Sequence, residues 1–117
     1  MLSLETCKAL ATRHPEVWER PVGLGDVFWP DAPKSRPTLW NDKRRYLSDA
    51  PRLIWCPRLG DLLEIAKATA MAEERSLRLE LGTSSWTFGY ADYEDIQWPY
   101  GSGDTPETSV AAWLLAR

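Results

Sequence analysis

Leu77-Arg78-Leu79-Glu80-Leu81-Gly82-Thr83-Ser84-Ser85-Trp86-Thr87-Phe88-Gly89-Tyr90 is the most strongly patterned stretch of the chain. Leucines at 77, 79 and 81 alternate with Arg78 and Glu80. Trp86, Phe88 and Tyr90 alternate with Thr87 and Gly89. A period of two is that of a half-buried strand, because successive side chains leave a strand on opposite faces. Gly82 to Ser85 supplies the turn between the two runs. The stretch therefore predicts an antiparallel hairpin with one apolar face, and that face needs helices to cover it.

On the C-terminal side, Asp92 to Asp104 reads as a loop rich in acid, aromatic and glycine. Asp104 or Thr105 can cap a last helix, with Pro106 in its first turn and Glu107 placed for a capping box. Val110, Trp113 and Leu114 form its apolar face at i, i+3 and i+4. On the N-terminal side, Leu59, Leu62, Leu63, Ala66 and Ala70 recur at helical spacing. They predict a helix from about Pro57 to Glu74, with Asp61 and Glu64 early, where the helix dipole favours negative charge. Leu62, Leu63, Leu77, Leu79, Leu81, Val110 and Trp113 are the expected core.

The first half is less regular. Ser3 can cap a helix carrying Leu4, Cys7, Leu10 and Ala11 on one face. His14-Pro15 interrupts it, since the residue before proline is pushed out of the helical region. Pro15 can start a second short turn with Val17 and Trp18. Gly25 to Trp29 reads as a strand ended by Pro30, and Asp31 to Pro37 as a loop. Thr38-Leu39-Trp40 is expected to pair back on Val27 to Trp29. Leu53-Ile54-Trp55 is a further extended segment, and these strands are expected to lengthen the hairpin's sheet. Residues 1–117 thus read as one α+β domain, a small antiparallel sheet packed with two to three helices.

Composition supports a globular chain: of 117 residues, 44% are hydrophobic and 26% charged. No apolar run approaches the roughly 20 residues of a membrane-spanning helix. The N-terminus has Glu5 early and no basic start, unlike a secretory signal, so a cytoplasmic location is expected. Cys7 and Cys56 then read as free thiols in the packing. Two Cys and one His cannot build a Cys/His zinc site.

Motifs for catalysis are scarce. His14 is the only side chain with a near-neutral unperturbed pKa, and it sits at a helix end beside proline. Cys7 lies two helical turns before it, roughly 10 Å along the axis. There is no G-x-S-x-G, P-loop or G-x-G-x-x-G pattern. Gly101-Ser102-Gly103 precedes a helix N-terminus, where backbone amides can meet an anion, although such turns mostly provide flexibility. No catalytic, cofactor or metal residue is assigned.

Two stretches read as candidate surfaces. Residues 34–58 hold seven cations against two carboxylates, although the net charge of the chain is −3. Arg36, Lys43, Arg44 and Arg45 are the candidates for contacting phosphates, with Trp40 and Tyr46 able to stack on bases. The simpler reading is a solvated basic face paired with the acidic half. The second stretch runs Asp92-Tyr93-Glu94-Asp95-Ile96-Gln97-Trp98-Pro99-Tyr100. Its carboxylates match no calcium-loop spacing. Asp95, Trp98 and Tyr100 are instead candidates for an interaction surface, though Trp98 can equally tuck under the loop. Seven Trp in all is a high share, met either by core filling or by recognition.

Leu53-Ile54-Trp55-Cys56-Pro57-Arg58-Leu59-Gly60-Asp61-Leu62-Leu63-Glu64 resembles an aliphatic-Trp-x-Pro-x-x-x-x-Leu-x-Glu segment of small proteins encoded in phages and prophages. The last helix, Thr105-Pro106-Glu107-Thr108-Ser109-Val110-Ala111-Ala112-Trp113-Leu114-Leu115-Ala116, echoes those proteins' final helix through Ala112 and Leu114-Leu115. The resemblance covers residues 53–117. It implies an α-β-α sandwich and carries over no catalytic residue.

The expected function is a non-enzymatic interaction module, phage-derived and able to self-associate, with a protein as partner and no membrane. One alternative is a nucleic-acid accessory protein using the basic stretch. Another is a small-ligand site lined by Trp and Tyr.

Overall fold

A computed structural model describes residues 1–18, 24–31, 34–39 and 53–117. The fold is α+β and divides into two compact units, Met1–Pro57 and Arg58–Arg117. No helix among the described residues is long and apolar enough to cross a membrane.

In the first unit, α1 spans Leu4–Arg13 and α2 spans Pro15–Trp18. Ser3 caps α1, its hydroxyl accepting from the Thr6 N–H at 3.2 Å. His14 closes the helix, donating its N–H to the Leu10 carbonyl at 2.8 Å. Strands β1 (Val27–Pro30), β2 (Thr38–Leu39) and β3 (Leu53–Trp55) form an antiparallel sheet in the order β2-β1-β3. Val27 faces Leu39, and Trp29 faces Ile54. Helix α1 packs on β3. Leu2, Cys7, Leu10, Trp18, Phe28, Ile54 and Trp55 are buried. The tryptophans fill space and also bond: Trp18 donates its indole N–H to the Trp55 carbonyl, and Trp29 to the Leu2 carbonyl.

In the second unit, α3 spans Leu59–Ala72. Asp61 accepts the Arg58 backbone N–H at 3.0 Å, satisfying one orphan donor of the helix start. At the other end, Arg75 N–H reaches the Ala70 carbonyl and Glu74 N–H the Met71 carbonyl. That is a Schellman closure, with Glu74 in the left-handed region at φ +53° where glycine is usual. The closure turns the chain into β4 (Leu77–Leu81), which pairs with β5 (Trp86–Tyr90). Strand β6 (Gly101–Gly103) pairs with the other side of β5, giving the order β4-β5-β6.

Helix α4 (Pro106–Leu115) packs on β5, β6 and α3. Its Trp113 is fully buried, edge-on to Phe88 at 5.2 Å and to Tyr90 at 5.3 Å between ring centres. Such pairs add about 1 kcal/mol each beyond the area they bury. Leu62, Ala66, Ala70, Val110, Ala111 and Leu114 complete this core.

Several expectations are corrected. The strands around Val27, Leu39 and Ile54 do not extend the hairpin's sheet; they pair with one another. Pro30 is the last residue of β1 rather than its terminator. Gly101-Ser102-Gly103 is a strand, neither a loop nor a turn. Glycine is needed there because α4 lies against the backbone: a Cβ on Gly101 would stand 2.0 Å from the Ser109 carbonyl oxygen. Leu62, Val110 and Trp113 are buried as expected, but Leu63, Leu77 and Leu79 are half-buried and Leu81 is 62% exposed. The central strand β5 takes the position under α4, which leaves β4 at the edge. Thr105 caps α4, so Glu107 is one residue short of the capping-box position.

Candidate interaction surface

The segment joining β5 to β6, residues 91–100, is tied down by the side chains of Arg75 and Arg78 and by backbone groups of Ser76 and Tyr90. Asp92 makes the first tie. One carboxylate oxygen accepts the Ser76 backbone N–H at 2.9 Å and the other accepts Arg75 Nε at 2.7 Å. The Ser76 amide and the Arg75 guanidinium hold the Asp92 carboxyl below its ordinary range. Arg75 also donates to the Gln97 side-chain oxygen, and its guanidinium lies 3.8 Å over the Tyr90 ring. Arg78 donates to the Glu94 carbonyl. Gln97 returns a backbone bond to the Tyr90 carbonyl at 2.7 Å.

Gly89 lets the loop come this close. A Cβ there would meet Ile96 at 3.0 Å and Tyr100 at 3.3 Å, so the loop lies on the bare backbone of β5. Gly89 is the register partner of Arg78, which places the Arg78 side chain beside the loop it holds. The opposite face of β5 carries Phe88 against Trp113 of α4. One sheet thus has the helix on one face and the loop on the other.

Ile96 and Gln97 are half-buried and Asp92, though exposed, is bonded to Arg75 and Ser76, while other side chains of the loop stand free in solvent. Trp98 is 84% exposed, Tyr93 78% and Tyr100 50%. Asp95 and Glu94 are exposed as well. The alternative in which Trp98 tucks under the loop is not what the structure has; Ile96 and Gln97 occupy that position. Three exposed aromatic rings within eight residues, on an anchored backbone, form a surface able to bury apolar area against a partner.

Beside this loop, the end of the chain folds over the same ring. Arg117 pairs with Glu73, and its guanidinium stands 4.9 Å from the Tyr90 ring and 4.6 Å from Trp113. Tyr90 donates its hydroxyl to Glu73. Burial and that bond push the phenol up to about 12. Trp113 Nε1 is buried with no hydrogen-bond partner among the described residues.

Of the phosphate-contacting candidates, Arg36 is exposed, its carbonyl accepting from the Thr38 hydroxyl at 3.0 Å. Lys43, Arg44 and Arg45 lie outside the described residues, as do Trp40 and Tyr46. His14 is half-buried, with Nδ1 4.0 Å from Glu16. Cys7 and Cys56 are free thiols, both buried, and the Cys56 thiol donates to the Leu2 carbonyl at 3.7 Å. The neighbouring Cys56 thiol and burial push the Cys7 thiol up, away from nucleophilic character. Among the described residues, no group of three or more His, Cys, Asp or Glu is placed to hold a metal.

The anchoring residues Arg75, Arg78 and Gly89 were not readable from the sequence as parts of a surface. Arg78 had only its place on the polar face of a strand as a signal. No family model, curated protein or solved structure matches the chain.

Proposed function

We propose that the chain is a non-enzymatic interaction module, of the kind phages and prophages encode, and that it engages a protein partner through Tyr93, Asp95, Trp98 and Tyr100. One observation carries the reading: the loop is held by Arg75, Arg78 and Asp92 while its aromatic rings face outward. A surface already ordered before binding loses little conformational entropy when it is covered. Tyrosine and tryptophan supply large contact area at the cost of two rotatable bonds each. A cytoplasmic place of work is in keeping with two cysteines left as thiols.

The test is capture from lysate, with and without nuclease, by the wild-type chain and by a Tyr93→Ala/Trp98→Ala/Tyr100→Ala variant of unchanged circular dichroism. The reading expects proteins retained by the wild type and lost by the variant. Equal capture by both would move the interaction elsewhere on the molecule. A catch that vanishes with nuclease would turn attention to Arg36 and the basic stretch.

A further inference from the structure

We infer that the occupant of the 93–100 surface is an arginine-bearing segment of a protein partner, a refinement that rests on the interaction reading above. Asp92 is answered internally by Arg75 and the Ser76 amide. Glu94 and Asp95 are exposed, and neither carboxylate has an ion-pair partner among the described residues. Arg78 is spent on the Glu94 carbonyl and has Glu80 two residues along the same strand. The outward side of the loop therefore offers carboxylates interleaved with aromatic faces.

The molecule shows twice what that combination receives. Arg75 lies over Tyr90 while donating to Asp92. Arg117 lies near Tyr90 and Trp113 while pairing with Glu73. In each case a planar guanidinium is satisfied at once by a ring face and a carboxylate. Among the described residues, the 93–100 surface presents rings and carboxylates with no cation paired to either the Glu94 or the Asp95 carboxylate. Arginine fits better than lysine, because its flat, weakly hydrated head stacks on a ring while its edge donates to oxygen. The acidic half of the chain adds a longer-range attraction for such a segment: residues 59–117 carry ten carboxylates against four cations.

The experiment titrates the full chain with acetyl-(Gly-Arg)4-amide, its lysine counterpart and its citrulline counterpart, by calorimetry and Trp fluorescence. The wild type is expected to bind the arginine peptide, about fivefold more tightly than the lysine peptide, and to leave the citrulline peptide unbound. Trp98→Ala and Glu94→Gln/Asp95→Asn should each weaken the arginine peptide about fivefold or more, with thermal midpoints unchanged. Affinity should fall as salt is raised.

Citrulline binding equal to arginine binding, with Trp98→Ala lost and Glu94→Gln/Asp95→Asn unaffected, would overturn the arginine assignment but keep the surface. Arginine binding indifferent to every loop variant would overturn the assignment and leave only bulk charge. Self-association that Trp98→Ala abolishes, with no peptide bound, would name a second copy as occupant instead.

Discussion

Asp92 shows how one side chain converts a loop into a platform. Its carboxylate joins the end of β5 to the start of β4 through Ser76 and Arg75. Asp92→Asn should therefore lower the thermal midpoint and raise amide exchange across residues 92–98. The pH dependence has a definite sign. The folded-state value lies below the unfolded one, so the stabilisation is full above the ordinary carboxylate range. It fades as the pH falls through the lowered value. The gap in midpoint between wild type and Asp92→Asn should close in the same direction, and a gap that stays constant into strong acid would contradict the ionic tie.

Gly101 makes the complementary point, a residue defined by what it lacks. Its absent side chain is where the backbone of α4 sits, with the Trp113 amide nitrogen 2.4 Å from the would-be Cβ. Gly101→Ala should cost about 3 kcal/mol or more in urea denaturation, the upper end of overpacking penalties. Gly60→Ala is the control, since a Cβ there has nothing within 4 Å.

Among the elements, those with a local pattern were readable in the sequence. The caps at Ser3 and Thr105, the helical stripe from Leu62 to Ala70 and the Leu77–Tyr90 hairpin announce themselves over a few residues. Strand β6 does not, because glycine, serine and glycine show no alternation; contact with α4 selects them. Nor does the separation of the two sheets, since strands of two to four residues carry too little pattern to name their partners. The surface divides the same way. Trp98, Tyr100 and Asp95 stand out by chemistry, whereas their support comes from Arg75 and Arg78, which lie 16 to 22 residues away from what they bind. The turn that delivers Arg75 uses Glu74 in a left-handed conformation. Glu74→Gly should raise stability by about 1 kcal/mol, because glycine meets no Cβ penalty there. A loss of stability would show that the glutamate side chain has a role beyond its backbone angle.

Across the whole molecule, each compact unit has a core drawn from its own residues. Leu62, Ala66, Phe88, Val110, Trp113 and Leu114 all fall within Arg58–Arg117. A fragment of that span should fold cooperatively, with a stability below about 5 kcal/mol, since a chain of about 60 residues buries a modest share of its surface. Circular dichroism and urea unfolding would check it, and a featureless spectrum would show that this core depends on residues 1–57. The fragment contains the whole 93–100 surface and its anchors, so a folded fragment should keep the affinity of the full chain for the arginine peptide.

The anchoring of the loop by Arg75 and Arg78 also has a consequence in time. A segment that needs no rearrangement before docking should capture its partner in one bimolecular step, with an observed rate that rises linearly with concentration and no plateau. Differences among partner sequences would then appear almost entirely as differences in how long each complex survives. Loosening the anchors through Asp92→Asn would bring in a slow ordering phase, visible as curvature at high partner concentration.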